Sequence, residues 1–443
     1  MLSRLAPRVR EAPTQIAAFV GSGLVREKFG IKRAGHIRRT AWHVLRGNSG
    51  FRSYFVGSVT SDFGTWLQNS AQVLLAYQLA HSVLTVGMVM FAQFTSPLVL
   101  GPWAGVAADK FGGRRTLLAT QLISAAAAAT LAGLDFAGLL NAWVLVAGAI
   151  ISGLAFTFAL PARNVTVQRL VPPDQLSAAY AMDSVSYNLG RALAPVLLMA
   201  MDLLGISFAW AFAANAVSFV AFAWILWLVN MRAEAEPQRR SRVRDGFRIA
   251  CNDNRILVLL LMVAAVTVAD DPILVLGPAL AKQLHASPTW SGWFIAALGA
   301  GTVCGSFRRS KYQPSIRLAA TALAALALCM LIFVFGPALW ISVAAALGAG
   351  VSCLVANSVT RAVLAEYAGP QQAAAVMAVW AIAWAGSKPF ASLVDGVLGS
   401  CIGPQWTGLI LAAPALIPIT MIVLLPKLVV WLGRTPAAAW PGS

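Results

Sequence analysis

The sequence predicts an all-α integral membrane protein of twelve transmembrane helices, arranged as two pseudo-symmetric six-helix bundles. Three observations predict it. Of 443 residues, 59% are hydrophobic and 11% are charged, whereas a soluble domain carries about 25% charged residues. The apolar residues come in runs of about 20 or more, enough for a helix to cross the hydrocarbon core. They do not form the short alternating segments of a membrane barrel, and a lipid-exposed chain must otherwise pair its backbone groups within helices. Thirdly, with the amino terminus placed in the cytoplasm, all 33 Lys and Arg except Arg191, Lys282 and Lys388 fall on that side. Such asymmetry follows the positive-inside rule and sets both termini in the cytoplasm. The net charge of +17 then belongs to orientation and anionic headgroups, and no nucleic-acid partner is expected.

Along the chain, residues 1–50 read as a basic cytoplasmic tail with an interfacial helix near its end. Ile16–Val25 is too short and interrupted for a secretory leader. The first-half spans are expected at 52–80, 84–107, 116–135, 140–161, 175–202 and 206–229. Those of the second half are expected at 256–282, 289–307, 316–335, 337–358, 371–398 and 404–430. The polar segment 231–255, with Glu234, Glu236 and six arginines up to Arg248, is the one long hydrophilic break. It separates an N-terminal bundle at 51–230 from a C-terminal bundle at 256–432, and 433–443 forms a second cytoplasmic tail.

The halves resemble each other. Leu79–Ser82 through Gly87 is similar to Leu284–Ser287 through Gly292, at an offset near 205. Trp42–Arg46 and Phe247–Ala250 both read as short amphipathic helices in the headgroup plane, each ahead of a half. Further on, Ala181–Pro195 resembles Val376–Pro389, with Met182 against Met377, Gly190 against Gly386 and Pro195 against Pro389. Two repeated six-span halves in one orientation are a transporter signature.

The turn after the second span carries the sharpest motif: Gly105, Asp109, Lys110, Gly112, Gly113, Arg114 and Arg115. Gly112 and Gly113 permit a tight reversal. Asp109 is expected near the start of the next helix, where a carboxylate favours the positive end. Arg114 and Arg115 would face headgroups or an acid. This loop resembles the signature loop of the major facilitator superfamily. Gly64–Gln68, Pro102–Asp109, Leu160–Asn164, Leu170–Pro172, Asn188–Arg191 and Asp245–Phe247 resemble its enterobactin-exporter and macrolide-efflux branch, over about residues 40–400. The resemblance implies two bundles rocking about a central cavity in a bacterial cytoplasmic membrane, with proton-driven export of a siderophore or drug-like molecule. It also implies that Asp109 serves a cytoplasmic latch between the bundles. Three departures weigh against antiport: the matching loop from Phe307 to Tyr312 lacks the Gly-Asp pair, span four, ending at 161, carries no arginine within the membrane, and span five has Ala194 where the antiporter pattern has Gly before Pro195.

Ionisable groups at bilayer depth are costly and mark pathways. Span one aligns Ser58, Asp62, Thr65, Asn69 and Gln72 on one face, spaced three or four apart. Span five aligns Asp183, Tyr187 and Arg191. Span seven carries Asp270 and Asp271, and span eleven carries Trp380, Trp384, Lys388 and Asp395. The expectation is that Asp62 neutralises Arg191 while Asp270 or Asp271 neutralises Lys388. These pairs are either static braces or, given the doubled acid, a proton-exchanging element. The predicted pathway is Asp62, Trp66, Asn69, Gln72, Asp183, Arg191, Asp270, Asp271, Trp384 and Lys388. Several tryptophans, including Trp103, Trp143 and Trp406, fit an interfacial belt.

No phosphate-binding loop, zinc-protease motif, Cys/His cluster or nucleophile elbow occurs in the sequence, so no cofactor, metal or enzymatic activity is expected. The five cysteines are scattered. The expected partners are a small-molecule substrate, protons and the lipid bilayer, with the protein a monomer. Two other readings stay open: a lysophospholipid transporter on the same scaffold, favoured by a basic-flanked greasy portal between the bundles, and a non-transporting sensor or scaffold.

Overall fold

A computed structural model describes residues 44–231, 243–309 and 314–424. Most of both predicted tails, with Trp42 and His43, lies outside the described residues, as do Glu234, Glu236 and Ser310–Tyr312.

Six helices form the first half: α1 (Ser49–Ala80), α2 (Val83–Phe111), α3 (Gly113–Phe136), α4 (Ala142–Leu170), α5 (Leu176–Leu203) and α6 (Ala209–Leu228). The amphipathic α7 (Val243–Asn252) precedes the second half. Span seven is assembled from α8 (Asn254–Asp270), α9 (Pro272–Val275) and α10 (Gly277–Gln283), followed by α11 (Gly292–Arg309) and α12 (Ile316–Phe335). A helical run, α13 (Leu339–Cys401), and α14 (Pro404–Leu424) complete the chain. Among the described residues, seven segments are by themselves apolar and long enough to cross a membrane. The first and fifth spans are not among them, because they carry the polar side chains of the site.

Straight, the 63 residues of α13 would extend about 95 Å. Yet Cys353 Sγ lies 3.6 Å from Asp270 Oδ2, and Ser392 Oγ donates to Asp271. Residues so far apart along one run reach neighbouring carboxylates, so α13 doubles back and supplies spans ten and eleven.

Span seven is broken where its two acids sit. Pro272 has no N–H to give and its ring crowds the preceding turn. The ladder restarts with Leu274 and Val275 bonding to the Asp271 carbonyl, and Gly277-Pro278 interrupts it again. Span four takes the opposite course. Its Pro161 lies inside a helix that continues to Leu170, as membrane helices permit when neighbours re-satisfy the freed groups.

The pseudo-symmetry extends to the backbone. Asn48 (φ −128°, ψ 94°) and Asp253 (φ −124°, ψ 104°) precede the first helix of each half in nearly one conformation. His81 and His285, the two non-glycine residues with positive φ among those described, close the matching helices at φ 50° and 58°.

Glycines bring the bundles together. A Cβ at Gly87 would stand 2.5 Å from the Ser392 carbonyl oxygen and 2.8 Å from Gly396, while one at Gly292 would meet Met199 and the Pro195 carbonyl at 2.9 and 3.1 Å. Gly299 likewise abuts Arg191 and Ala192, and Gly399 abuts Val83. These contacts pair Gly87 with Gly292 and Ser392 with Pro195, so the fifth spans align at an offset of 197. That corrects the expected match of Gly190 with Gly386, and it sets Lys388 on Arg191. All these approaches lie from mid-membrane towards the side away from the chain termini. On the terminal side of α2, Gly101 has open space around it.

Candidate functional site

Two charge clusters stand at depth. The first belongs wholly to the N-terminal bundle. Arg163 of α4 bonds Asp62 of α1 at 2.7 Å and Asp183 of α5 at 2.9 Å. Ser186 donates to Asp62 at 2.6 Å, Tyr54 donates to Asp183 at 3.3 Å, and Ser58 lies between the two acids. Arg163 also bonds the Ser58 hydroxyl. Asp62 is 4% exposed and Ser58 is fully buried, so the cluster ties three helices together in low dielectric. Asp62 therefore pairs with Arg163, not with Arg191 as expected, and span four does carry a deep arginine. Treating Pro161 as the end of that span hid it.

The second cluster crosses between bundles. Arg191 of α5 stands 3.8 Å from Asp270 of α8 and lies over the Trp66 ring at 5.3 Å. Lys388 of α13 stands 3.5 Å from Asp271, as expected, and 4.8 Å over the ring of Phe94 on α2. Each base thus touches both halves. Thr302 of α11 donates to Asn188 of α5 at 2.9 Å, adding a neutral tie across the same interface.

Beside these clusters is a cavity of about 90 Å³, bounded by α1 to α6 with Leu274 and Ile295 from the other bundle. Asp62, Trp66 and Asn69 line it, with Arg163 and Tyr187. Amides and hydroxyls frame the rest. Gln93 donates to Asn69 at 3.1 Å, Asn215 donates to Gln68 at 2.7 Å, and Ser61 donates to Gln121 at 3.3 Å. The polar stripe of α1 thus divides between the charge cluster and this wall. Of the other expected pathway residues, Asp183, Arg191, Asp270, Asp271, Trp384 and Lys388 do not line the space. Gln72 is fully buried with its amide unpartnered. Trp384 is 42% exposed and stacks on Trp380 at 6.1 Å.

A profile described as a transmembrane secretion effector, a branch of the major facilitator superfamily, matches residues 39–442. The chain belongs to this family. Macrolide efflux protein A of Streptococcus pyogenes is similar at 24% identity over 60% of this chain and 68% of its own length. The multidrug resistance protein MdtH of Edwardsiella ictaluri is 26% identical over 49% of this chain and 52% of its own. Among solved structures, the nucleoside transporter NupG superimposes with a TM-score of 0.69 at 11% identity, covering 85% of this chain and 99% of that one. A bacterial homologue of the human lysosomal transporter Spinster, inward-facing and unoccupied, gives 0.70 at 12% identity over 88% and 98%. These likenesses establish the fold alone. The protein is a multi-pass transporter of the major facilitator superfamily, which places it in a lipid bilayer and assigns it a small-molecule substrate.

Within this family's signature loop, Gly112 (φ 83°, ψ 143°) is the single residue between α2 and α3. Gly113 packs so close to α4 that a Cβ there would stand 2.8 Å from Val165. Asp109 lies in the last turn of α2, and Gly112 is the N-cap residue of α3. Arg114 bonds the carbonyl of Trp227, one of the acceptors left free at the end of α6. Gly105 is buried, and Arg115 is exposed beside an apolar groove of α3 and α4.

Sequence reasoning missed Arg163, Tyr54, Ser186 and the Gln68–Asn215 bond. For Arg163 the signal was present in Leu160–Asn164; the rest needed helix rotations that no spacing encodes.

Proposed function

We propose that this transporter is a proton-coupled exporter of small amphipathic molecules, drug-like or siderophore-like, working by alternating access as a monomer. It would sit in a bacterial cytoplasmic membrane with both termini inside, as the one-sided distribution of Lys and Arg supports. The observation that carries the proposal is that two bases reach across the bundle interface, Arg191 to Asp270 and Lys388, held by Asp271 of its own bundle, to the Phe94 ring. Rocking one bundle against the other must break these contacts, and a carboxylate that gains a proton no longer holds its base. Chemistry and motion are thereby tied to one set of side chains.

The adjoining space supports an amphipathic substrate. Trp66, Phe94, Phe156 and Phe219 give it flat apolar walls, and Asn69, Gln93 and Asp62 give it polar handles. Efflux fits the printed names of relatives, a macrolide efflux protein and a multidrug resistance protein. The lipid-transporter reading called for a greasy portal flanked by bases. The crevice that α5 forms with Trp290, Trp293 and Trp340 is flanked by Asp202 instead, which favours the exporter.

The test is reconstitution into proteoliposomes with an imposed pH gradient and ethidium as the probe. Ethidium accumulation that collapses with a protonophore is expected. Equal ethidium distribution with and without the protein would refute the proposal for cationic drugs.

A further inference from the structure

Asp395 is the ionisable group at this depth that no part of the account above has used. It lies on the returning half of α13 and is fully buried, and neither of its carboxylate oxygens has a hydrogen-bond donor. It lies one turn of α13 beyond Ser392, the donor to Asp271, and the Asp271 Oδ1 atom is buried without a donor as well, so the two carboxylates are set against each other. Asp271 in turn accepts from Ser392 and stands 3.5 Å from Lys388.

Two ionised carboxylates are both acceptors and cannot bond to each other. Their contact needs a proton between them. The charge count agrees. Every titratable group near Asp395 is on the page: Asp270 and Asp271 from span seven, Cys353 and Lys388 from α13, and Arg191 with Tyr187 from α5. Neither α2 nor α14 brings a titratable group to this depth. Three carboxylates therefore share two bases, Arg191 and Lys388, and both bases are nearer to Asp270 and Asp271. An uncompensated buried carboxylate takes up a proton rather than remain charged. A metal cation is a poor substitute, because the Lys388 ammonium already stands 3.5 Å from Asp271 Oδ1 and the Ser392 hydroxyl donates to Oδ2.

We propose that Asp395 carries a proton donated to Asp271 in this conformation, and that this carboxyl pair is where the transported proton is held. In the step that follows, the Asp395 O–H bond breaks and the proton leaves to water, while the electron pair stays on Asp395. The pair then carries two negative charges and draws the Lys388 ammonium in between, away from the Phe94 ring of the other bundle. Reprotonation releases it. The state of Asp395 thereby sets the strength of an interface contact that Asp395 does not itself make. Asp395 is a positioning residue for Lys388 as well as the proton's holder.

This inference rests on the exporter reading, but its first test does not. Infrared difference spectra of the purified full chain in lipid, recorded across a pH titration, read protonated carboxyls directly. Asp395→Asn should remove one protonated-carboxyl band present near neutral pH, and Asp395→Glu should keep a band with a shifted titration midpoint. The same variants are then assayed for ethidium accumulation in proteoliposomes. Asp395→Asn should lower pH-driven accumulation at least tenfold, and Asp395→Glu should recover much of it with a displaced pH profile. If Asp395→Asn leaves the infrared band in place, or accumulates ethidium with the native pH profile, the inference is wrong. A band that vanishes when sodium is added to the native protein also overturns it, in favour of a metal cation. If the native protein moves no ethidium yet the band behaves as stated, the exporter reading fails for that probe and the proton assignment stands.

Discussion

Replacing Arg163 with methionine isolates the energetics of the N-terminal cluster. At 2.7 Å from Asp62, and with an effective dielectric of about 20, the gross attraction is about 6 kcal/mol. The Asp183 contact at 2.9 Å adds a similar gross term. Most of this offsets the cost of taking three charges out of water, so the net worth of the cluster is small. Breaking it is another matter: two carboxylates would remain, facing each other through Ser58, and losing one partner of a buried pair costs about 3–5 kcal/mol. That is a factor of roughly 10² to 10⁴ in the folded-to-unfolded ratio. Thermal unfolding in detergent, followed by tryptophan fluorescence, should show the Arg163→Met midpoint lowered by several degrees. Adding Asp62→Asn and Asp183→Asn to Arg163→Met removes every charge at once and should restore most of the loss. If Arg163→Met unfolds with the native protein, or the triple variant is no better than the single, the cluster is not the brace inferred from its geometry.

Three further outcomes follow from the interface and the signature loop. Reversing charge at Arg191→Asp or Asp270→Arg alone should lower proteoliposome flux at least tenfold, and combining the two should recover part of it, since the pair then re-forms with opposite sense. Gly87→Val places a branched side chain against the Ser392 carbonyl, and overpacking of this kind costs about 1–3 kcal/mol. It should hold the bundles apart on the side away from the termini, reducing flux and exposing a Val83→Cys thiol, otherwise buried against Gly399, to an impermeant maleimide. Arg114→Ala leaves the Trp227 carbonyl without its donor and should cost about 1 kcal/mol, read as a small fall in unfolding midpoint that Arg114→Lys does not fully recover.

The spans were legible because lipid as solvent allows few solutions. An apolar run of sufficient length must be a helix, and even the repeated turns at His81 and His285 show in the residues. Partner choice was not legible. Asp62 and Arg191 occupy plausible faces of neighbouring helices, yet a rotation of α1 turns the carboxylate to Arg163 and leaves Arg191 to the other bundle. Spacing along a helix fixes which residues share a face; it does not fix which neighbour that face meets. Pro161 misled for a related reason. In water a proline commonly ends a helix, whereas within a membrane bundle adjacent helices can satisfy the carbonyl it frees, so α4 runs on for two more turns and delivers Arg163. The signature turn is tighter than its residues suggest: one glycine, Gly112, makes the whole reversal, and Asp109 sits in the last turn of α2.

The two halves share a fold, but their charges are disposed for different tasks. Arg191 and Lys388 occupy equivalent places and both reach across the interface. Arg163 has no such reach: its two acids, with Tyr54, Ser58 and Ser186, all lie within one bundle. The proposed rigid-body rocking would leave that cluster whole, so its free energy would cancel between conformations and could not drive or gate the cycle. In the proposed rocking cycle the contacts of Arg191 with Asp270 and of Lys388 with the Phe94 ring would form in one conformation and break in the other, so a change in the carboxylates that hold these bases would shift the balance. A ligand or proton moves an equilibrium only by its differential affinity for the two states. Among the described charges, the proposal puts that differential in the acids facing those two bases: Asp270, Asp271 and, through Asp271, Asp395.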